Sequence, residues 1–193
     1  MAGPAQVTVE IVTTSQVIDK WNDPAQPPKI SMNGEPFQQP APPATATGWQ
    51  LVVLDSSMDM TDPAAIRYNS FLDLFADQNG NWFDTYQYMY DNIVRQVLLS
   101  GDPQTQLVFL VSYGLDANAP PTTDALGYML GAGAGQQLQT WERSVDIGSE
   151  GGWTSFPACY IMIGGSSYSY DQGHEVYSDQ GTATLSVTLN NPV

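Results

Sequence analysis

Basic residues are scarce in this chain: five Lys and Arg stand against 20 Asp and Glu, for a formal net charge of −15 over 193 residues. A surface of that sign repels phosphate backbones, which nearly excludes nucleic acid as a partner. It also disfavours docking on an anionic membrane leaflet. No apolar run approaches the ~20 residues a spanning helix needs, so no membrane insertion is expected. The lone cysteine, Cys159, excludes an intrachain disulfide and a disulfide-stapled fold. It lies in the apolar run Phe156-Pro-Ala-Cys-Tyr-Ile-Met-Ile163 and reads as a small buried hydrophobe. The lone histidine, His174, sits in Tyr170-Asp-Gln-Gly-His-Glu-Val176, a loop composition, and no nucleophile-elbow sequence accompanies it. The start, Met1-Ala-Gly-Pro-Ala-Gln, lacks the basic flank and apolar stretch of a secretory signal. The expectation is a chain made in the cytoplasm, processed before this numbering begins, or exported another way.

Apolar residues make up 42% and aromatic residues 11%, enough for the core of one domain of this length. Alternation predicts strands at 7–12 and at 182–190, the latter with Ala183, Leu185, Val187 and Leu189 on one face. Continuous apolar runs predict buried strands at 49–54, 107–112 and 158–163. Residues 22–47 carry proline every few positions and read as an extended arm or linker, either wrapping a partner subunit or lying as a surface loop on the same domain. Asn79-Gly80 is a strong turn signal and predicts a hairpin of 70–76 with 82–85, against a competing helix over 63–76. Residues 84–99 have helical spacing, with Tyr86, Tyr90, Ile93, Val94, Val97 and Leu98 on one face. A second helix is expected over 123–131, ending in the glycine-rich turn Gly131–Gly135.

Few motifs carry chemistry. Asp55-Ser-Ser-Met-Asp59, with Asp62 nearby, follows a buried strand and is similar to the metal motif of von Willebrand A domains. Clustered oxygen ligands of this kind suit a hard divalent ion, but that fold needs repeated strand–helix units, and a polar loop is the default. Acidic pairs such as Asp116 with Asp124, or Glu142 with Asp146, suit glycosidase chemistry, yet in so acidic a chain such pairs arise by chance. Gly131-Ala-Gly-Ala-Gly135 lacks both the lysine of a phosphate loop and dinucleotide spacing. Aromatics crowd the last third, and Tyr168 and Tyr170 alternate with small polar residues. Rings of that kind stack on the apolar faces of sugars while carboxylates and amides grip hydroxyls.

The order of pieces says more than any single motif. Gly48-Trp-Gln-Leu-Val-Val-Leu-Asp55 opens the series, and Trp82-Phe-Asp-Thr-Tyr86 precedes a helix. Leu107-Val-Phe-Leu-Val-Ser-Tyr-Gly114 then leads into Leu115-Asp-Ala-Asn118. A second helix follows, and the segment from Gly152-Trp-Thr-Ser-Phe156 to Gly164-Gly165 closes the series. This succession resembles the interleukin-like EMT inducer domain, also called the PANDER-like or GG domain, over roughly residues 48–177. The shared positions are Asp84, Asp116, Trp153 and Gly164-Gly165; the proline-rich segment and the C-terminal strand lie outside the pattern. The resemblance implies a non-catalytic fold of two twisted antiparallel sheets with flanking helices, in a family that includes cytokine-like secreted proteins and a sugar-binding stem domain.

The expected fold is therefore a β-rich α+β sandwich of two twisted antiparallel sheets with one or two flanking helices. An N-terminal strand and proline-rich arm (1–47) would precede the sandwich domain (48–193). The expected function is a non-enzymatic module that binds carbohydrate or protein, with no cofactor and no metal. The alternative is a structural component of a virion or extracellular particle whose arm contacts other subunits. Ligand-binding candidates are Asp116, Asn118, Asp124, Trp153, Tyr168 and Tyr170.

Overall fold

The computed structural model describes residues 6–15, 26–41, 43, 47–73, 82–116, 121–149 and 157–191. The order of elements is β1 (Gln6–Thr14), β2 (Lys29–Met32), β3 (Glu35–Pro36), β4 (Gly48–Asp55), β5 (Ile66–Asp73), α1 (Trp82–Leu99), β6 (Gln106–Tyr113), β7 (Leu115–Asp116), α2 (Thr123–Gly131), α3 (Gln136–Ser149), β8 (Pro157–Gly165), β9 (His174–Ser178) and β10 (Thr182–Asn190). One sheet runs β10-β1-β2-β3; the other runs β5-β4-β6-β8-β7, with β9 also paired to β8. Every pairing is antiparallel. The β-rich sandwich expected from the sequence is what forms, with three helices among the described residues rather than one or two.

The layering follows from burial on both faces of the larger sheet. On β4, β6 and β8, Trp49, Leu51, Val53, Val108, Leu110, Tyr160 and Met162 point to the helices. The alternate residues Val52, Leu54, Leu107, Phe109, Val111, Cys159, Ile161 and Ile163 point to the smaller sheet. A strand's side chains alternate in direction, so a continuous apolar run needs a cover on each side. Helices supply one, through Met89, Tyr90, Ile93, Val97, Met129, Leu138 and Trp141. The smaller sheet supplies the other, through Val7, Val9, Ile11, Ile30, Met32 and Leu185. Cys159 is wholly buried, and burial pushes its thiol up to about 11, leaving it unreactive.

Both chain ends enter the smaller sheet. β1 pairs with β10 along its whole length, from Gln6 opposite Asn190 to Thr14 opposite Thr182. One end of the sandwich is closed by hydroxyl groups: Thr13 donates to the carbonyl of Ser112, Ser15 to that of Leu115, and Thr47 to that of Gly114. At the other end the buried Asn191 accepts from the Met60 amide (2.8 Å) and donates to Asp59 (2.9 Å).

Several expectations are corrected. The described part of the proline-rich segment is not a free arm. It folds back as β2 and β3, and Ile30, Met32 and Phe37 are buried in its own sandwich. The turn between those strands is Asn33-Gly34, both at positive φ (53° and 81°), the conformation that Asn-Gly favours in two-residue hairpins. This second Asn-Gly was the missed signal; Asn79-Gly80 lies outside the described residues. The hairpin of 70–76 with 82–85 does not form: β5 pairs with β4, and residues 82–85 already belong to α1. The competing helix over 63–76 is reduced to a single turn at Pro63–Ala65. On α1, Leu98 is 63% exposed rather than on the buried face, and Met89 fills the core instead. The segment around His174, read as loop, is β9. α3 was not anticipated, although Leu138, Trp141 and Val145 have helical spacing.

Gly164-Gly165 closes β8 against two backbones. The Gly165 amide donates to the carbonyl of Ala132 at the end of α2 (2.8 Å). A Cβ on Gly164 would lie 2.0 Å from that same oxygen, so α2 docks only because no side chain is present. We expect Gly164→Ala to destabilise the fold by about 1–3 kcal/mol through overpacking, read as a lower denaturation midpoint in urea.

Candidate functional site

The four candidates among the described residues, Asp116, Asp124, Tyr168 and Tyr170, do not converge. Asn118 and Trp153 lie outside the described residues. Asp116 forms β7, opposite Pro157 at the start of β8. Asp124 is exposed in the first turn of α2, whose other end meets Gly165. Tyr168 and Tyr170 follow the far end of β8. Nine strand residues separate Asp116 from the tyrosine end, roughly 26 Å at about 3.3 Å per residue. A single pocket holding Asp116 with the two tyrosines is thereby ruled out.

The tyrosine end has the more developed architecture. Residues 166–173 connect β8 to β9 and fold over the start of α3. The loop is fastened by its backbone: Gly173 donates to Gly133 (2.9 Å) and Asp171 to Ala134 (3.1 Å). Asp171 adopts a left-handed conformation (φ 59°), which aspartate tolerates better than most residues. Its carboxylate accepts from the Gln136 amide at 3.1 Å.

Glu175, on β9, completes the anchorage. Its Oε1 accepts from the amides of Gly135 (2.9 Å) and Gln137 (2.8 Å), and its Oε2 from the Leu138 amide (3.3 Å). These amides open α3 and have no partner within the helix; a carboxylate both bonds them and opposes the helix dipole. The Tyr160 hydroxyl donates to Oε2 at 2.5 Å. Burial, and then the charge of Glu175, push the Tyr160 phenol well above its usual range, so it stays a neutral donor. Neither Glu175 nor α3 was found from the sequence. The glutamate lies 40 residues from the Gly135 amide it bonds, and nothing local marks that pairing.

On this frame Tyr170 is 51% exposed, and its hydroxyl accepts from Gln139 Nε2 at 2.8 Å. Gln136, Asp171 and Gln172 are exposed around it. Tyr168 is half-buried and meets His174 edge-on, with ring centroids 6.1 Å apart. The patch therefore offers one accessible aromatic face, two or more amides and a carboxylate, held on a fastened loop.

The acidic loop after β4 has a different use. Asp55 accepts from the Ser57 amide (2.9 Å) and hydroxyl (2.5 Å) and pairs with Arg67 at 2.5 Å. Asp59 accepts from the Thr61 amide (3.0 Å) and hydroxyl (2.7 Å), and Asp62 from the Ala64 amide (2.8 Å). Each carboxylate closes its own turn, and among the described residues no three His, Cys, Asp or Glu side chains gather as a metal site. No helix of the described residues is long and apolar enough to cross a membrane.

Two outcomes test these arrangements. Glu175→Gln puts an amide donor among four donors and should cost about 1–3 kcal/mol, with faster hydrogen exchange at Gly135, Gln137 and Leu138. The hydroxyl of Ser57, then Arg67, hold Asp55 down from 3.8 to about 2. A depressed carboxylate stabilises the fold above its ordinary value, and that contribution is lost as pH falls from about 4 to about 2. In an NMR titration Arg67→Ala should raise the Asp55 midpoint while leaving it below 3.8, because Ser57 still donates.

No model of a known protein family matches this chain, and no curated protein matches it either.

Proposed function

We propose that the protein is a non-enzymatic, carbohydrate-binding module, displayed on a larger assembly such as a virion or extracellular particle. The observation that carries this reading is Tyr170, a half-exposed ring on a loop fastened by its own backbone, with amides and a carboxylate beside it. A pyranose presents C–H groups on one face and hydroxyls around its rim. The ring takes the face, and Gln136, Asp171 and Gln172 take the hydroxyls. A fastened loop loses little freedom on binding, which favours a weakly held ligand such as a sugar. The resemblance to the interleukin-like EMT inducer domain points the same way, through the sugar-binding stem domain in that family. Asp116, at the other end of β8, and Asp124, in the first turn of α2, are left out of this site.

Glycan-array screening followed by calorimetry on the best hit tests the proposal. Tyr170→Ala should weaken binding by about tenfold or more with an unchanged melting temperature, because the ring is exposed and its loss leaves no cavity. Asp116→Ala should leave affinity unchanged. Loss of binding in Asp116→Ala but not in Tyr170→Ala would move the site to the opposite end, and absence of any glycan ligand would overturn the reading.

A further inference from the structure

We infer that the outward face of α1 is a docking surface for a second copy of this chain, arranged antiparallel about a two-fold axis. The core side of α1 is filled by Met89, Tyr90, Ile93 and Val97. Directly opposite lie Tyr88, Asp91, Arg95 and Leu98, all exposed. Tyr88 is 53% exposed, Leu98 63% and Leu99, beside it, 68%. These three are among only five large hydrophobic residues so exposed among the described residues. The spacing 88, 91, 95, 98 alternates steps of three and four, so these residues form one stripe along the helix, apolar at its two ends and charged in the middle.

The choice of partner comes from the charges. A two-fold axis level with residue 93 sets Tyr88 of one copy opposite Leu98 of the other. The same operation sets Asp91 opposite Arg95, twice, once on each side of the axis. A two-fold interface must be self-complementary, and this seam is, in both its apolar and its charged positions. Arg95 has no carboxylate within ion-pair distance among the described residues, so its charge is free for a partner. The net charge of −15 on each copy opposes the pairing, so the two Asp91–Arg95 contacts and the apolar ends of the stripe have to outweigh it. The seam from 88 to 99 spans about 17 Å of helix, so the contact is small and the dimer is expected to be a weak one.

Sedimentation velocity over a concentration series of the full chain tests this with four proteins: wild type, Asp91→Arg, Arg95→Asp and the double exchange. Wild type should dimerise reversibly. Each single reversal sets like charges together twice and should weaken the dimer by about tenfold or more. The double exchange restores complementarity and should return affinity to within about threefold of wild type. Asp91→Arg is the decisive variant, because it lowers the overall negative charge and would strengthen any dimer limited only by general repulsion. All positions are exposed, so near-equal melting temperatures should accompany every variant at concentrations where all are monomeric. A wild-type chain that stays monomeric at millimolar concentration overturns the inference, as does a dimer that Asp91→Arg leaves intact or tightens.

Discussion

The structure depends on one constraint: the central strands β4, β6 and β8 bury both of their faces. No residue from 48 to 54, 106 to 113 or 158 to 165 is left open to solvent. Each large aliphatic side chain so buried contributes about 1.5–3 kcal/mol, but only while both covers are in place. Losing either layer would expose half of the core. This makes β1 and β10 interdependent, since they are far apart in sequence yet pair along their whole length in the smaller sheet.

The same constraint positions the candidate site. β8 must end against the carbonyl of Ala132 for α2 to cover Met162 and its neighbours, and Gly164 allows that approach. The chain then has to return as β9, and residues 166–173 make the connection across the start of α3. Glu175 fastens this corner from below while Tyr160 donates to it from the core. The exposed ring of Tyr170 therefore rests on the packing of the sheet, by way of a partly buried network of backbone amides and the carboxylates of Asp171 and Glu175. Binding surfaces commonly occur on loops held in this way by a rigid scaffold.

The acidic character of the chain has a structural side too. Asp55, Asp59, Asp62 and Asp102 each accept an amide two residues ahead, so part of the negative charge closes turns. Asp171 and Glu175 bond the amides that open α3. Asp55 also pairs with Arg67, but the amide bonds themselves need a carboxylate and no basic partner, which is consistent with a fold that holds so few Lys and Arg.

The buried strands at 49–54, 107–112 and 158–163 were legible because apolar runs bounded by glycine, proline and aspartate have few other stable homes. The half-buried strand at 182–190 was legible from its period of two, and α1 and α2 from their helical spacing. These are local regularities, set by backbone geometry and the need to hide apolar side chains. What stayed hidden depended on partners distant in the chain. The β2–β3 hairpin was masked by prolines that an edge position tolerates. The strand character of β9 comes from pairing with β8 rather than from its own composition. The candidate residues seemed to form one set because the sequence does not say which end of a nine-residue strand each one reaches. The sequence by itself determined the three central strands and two of the helices that cover them, α1 and α2, because burial and periodicity are properties of short segments. Only the tertiary structure decided that both termini share one sheet, that Glu175 anchors α3 and that Tyr170 stands apart from Asp116, because each depends on which distant backbone comes within hydrogen-bonding reach.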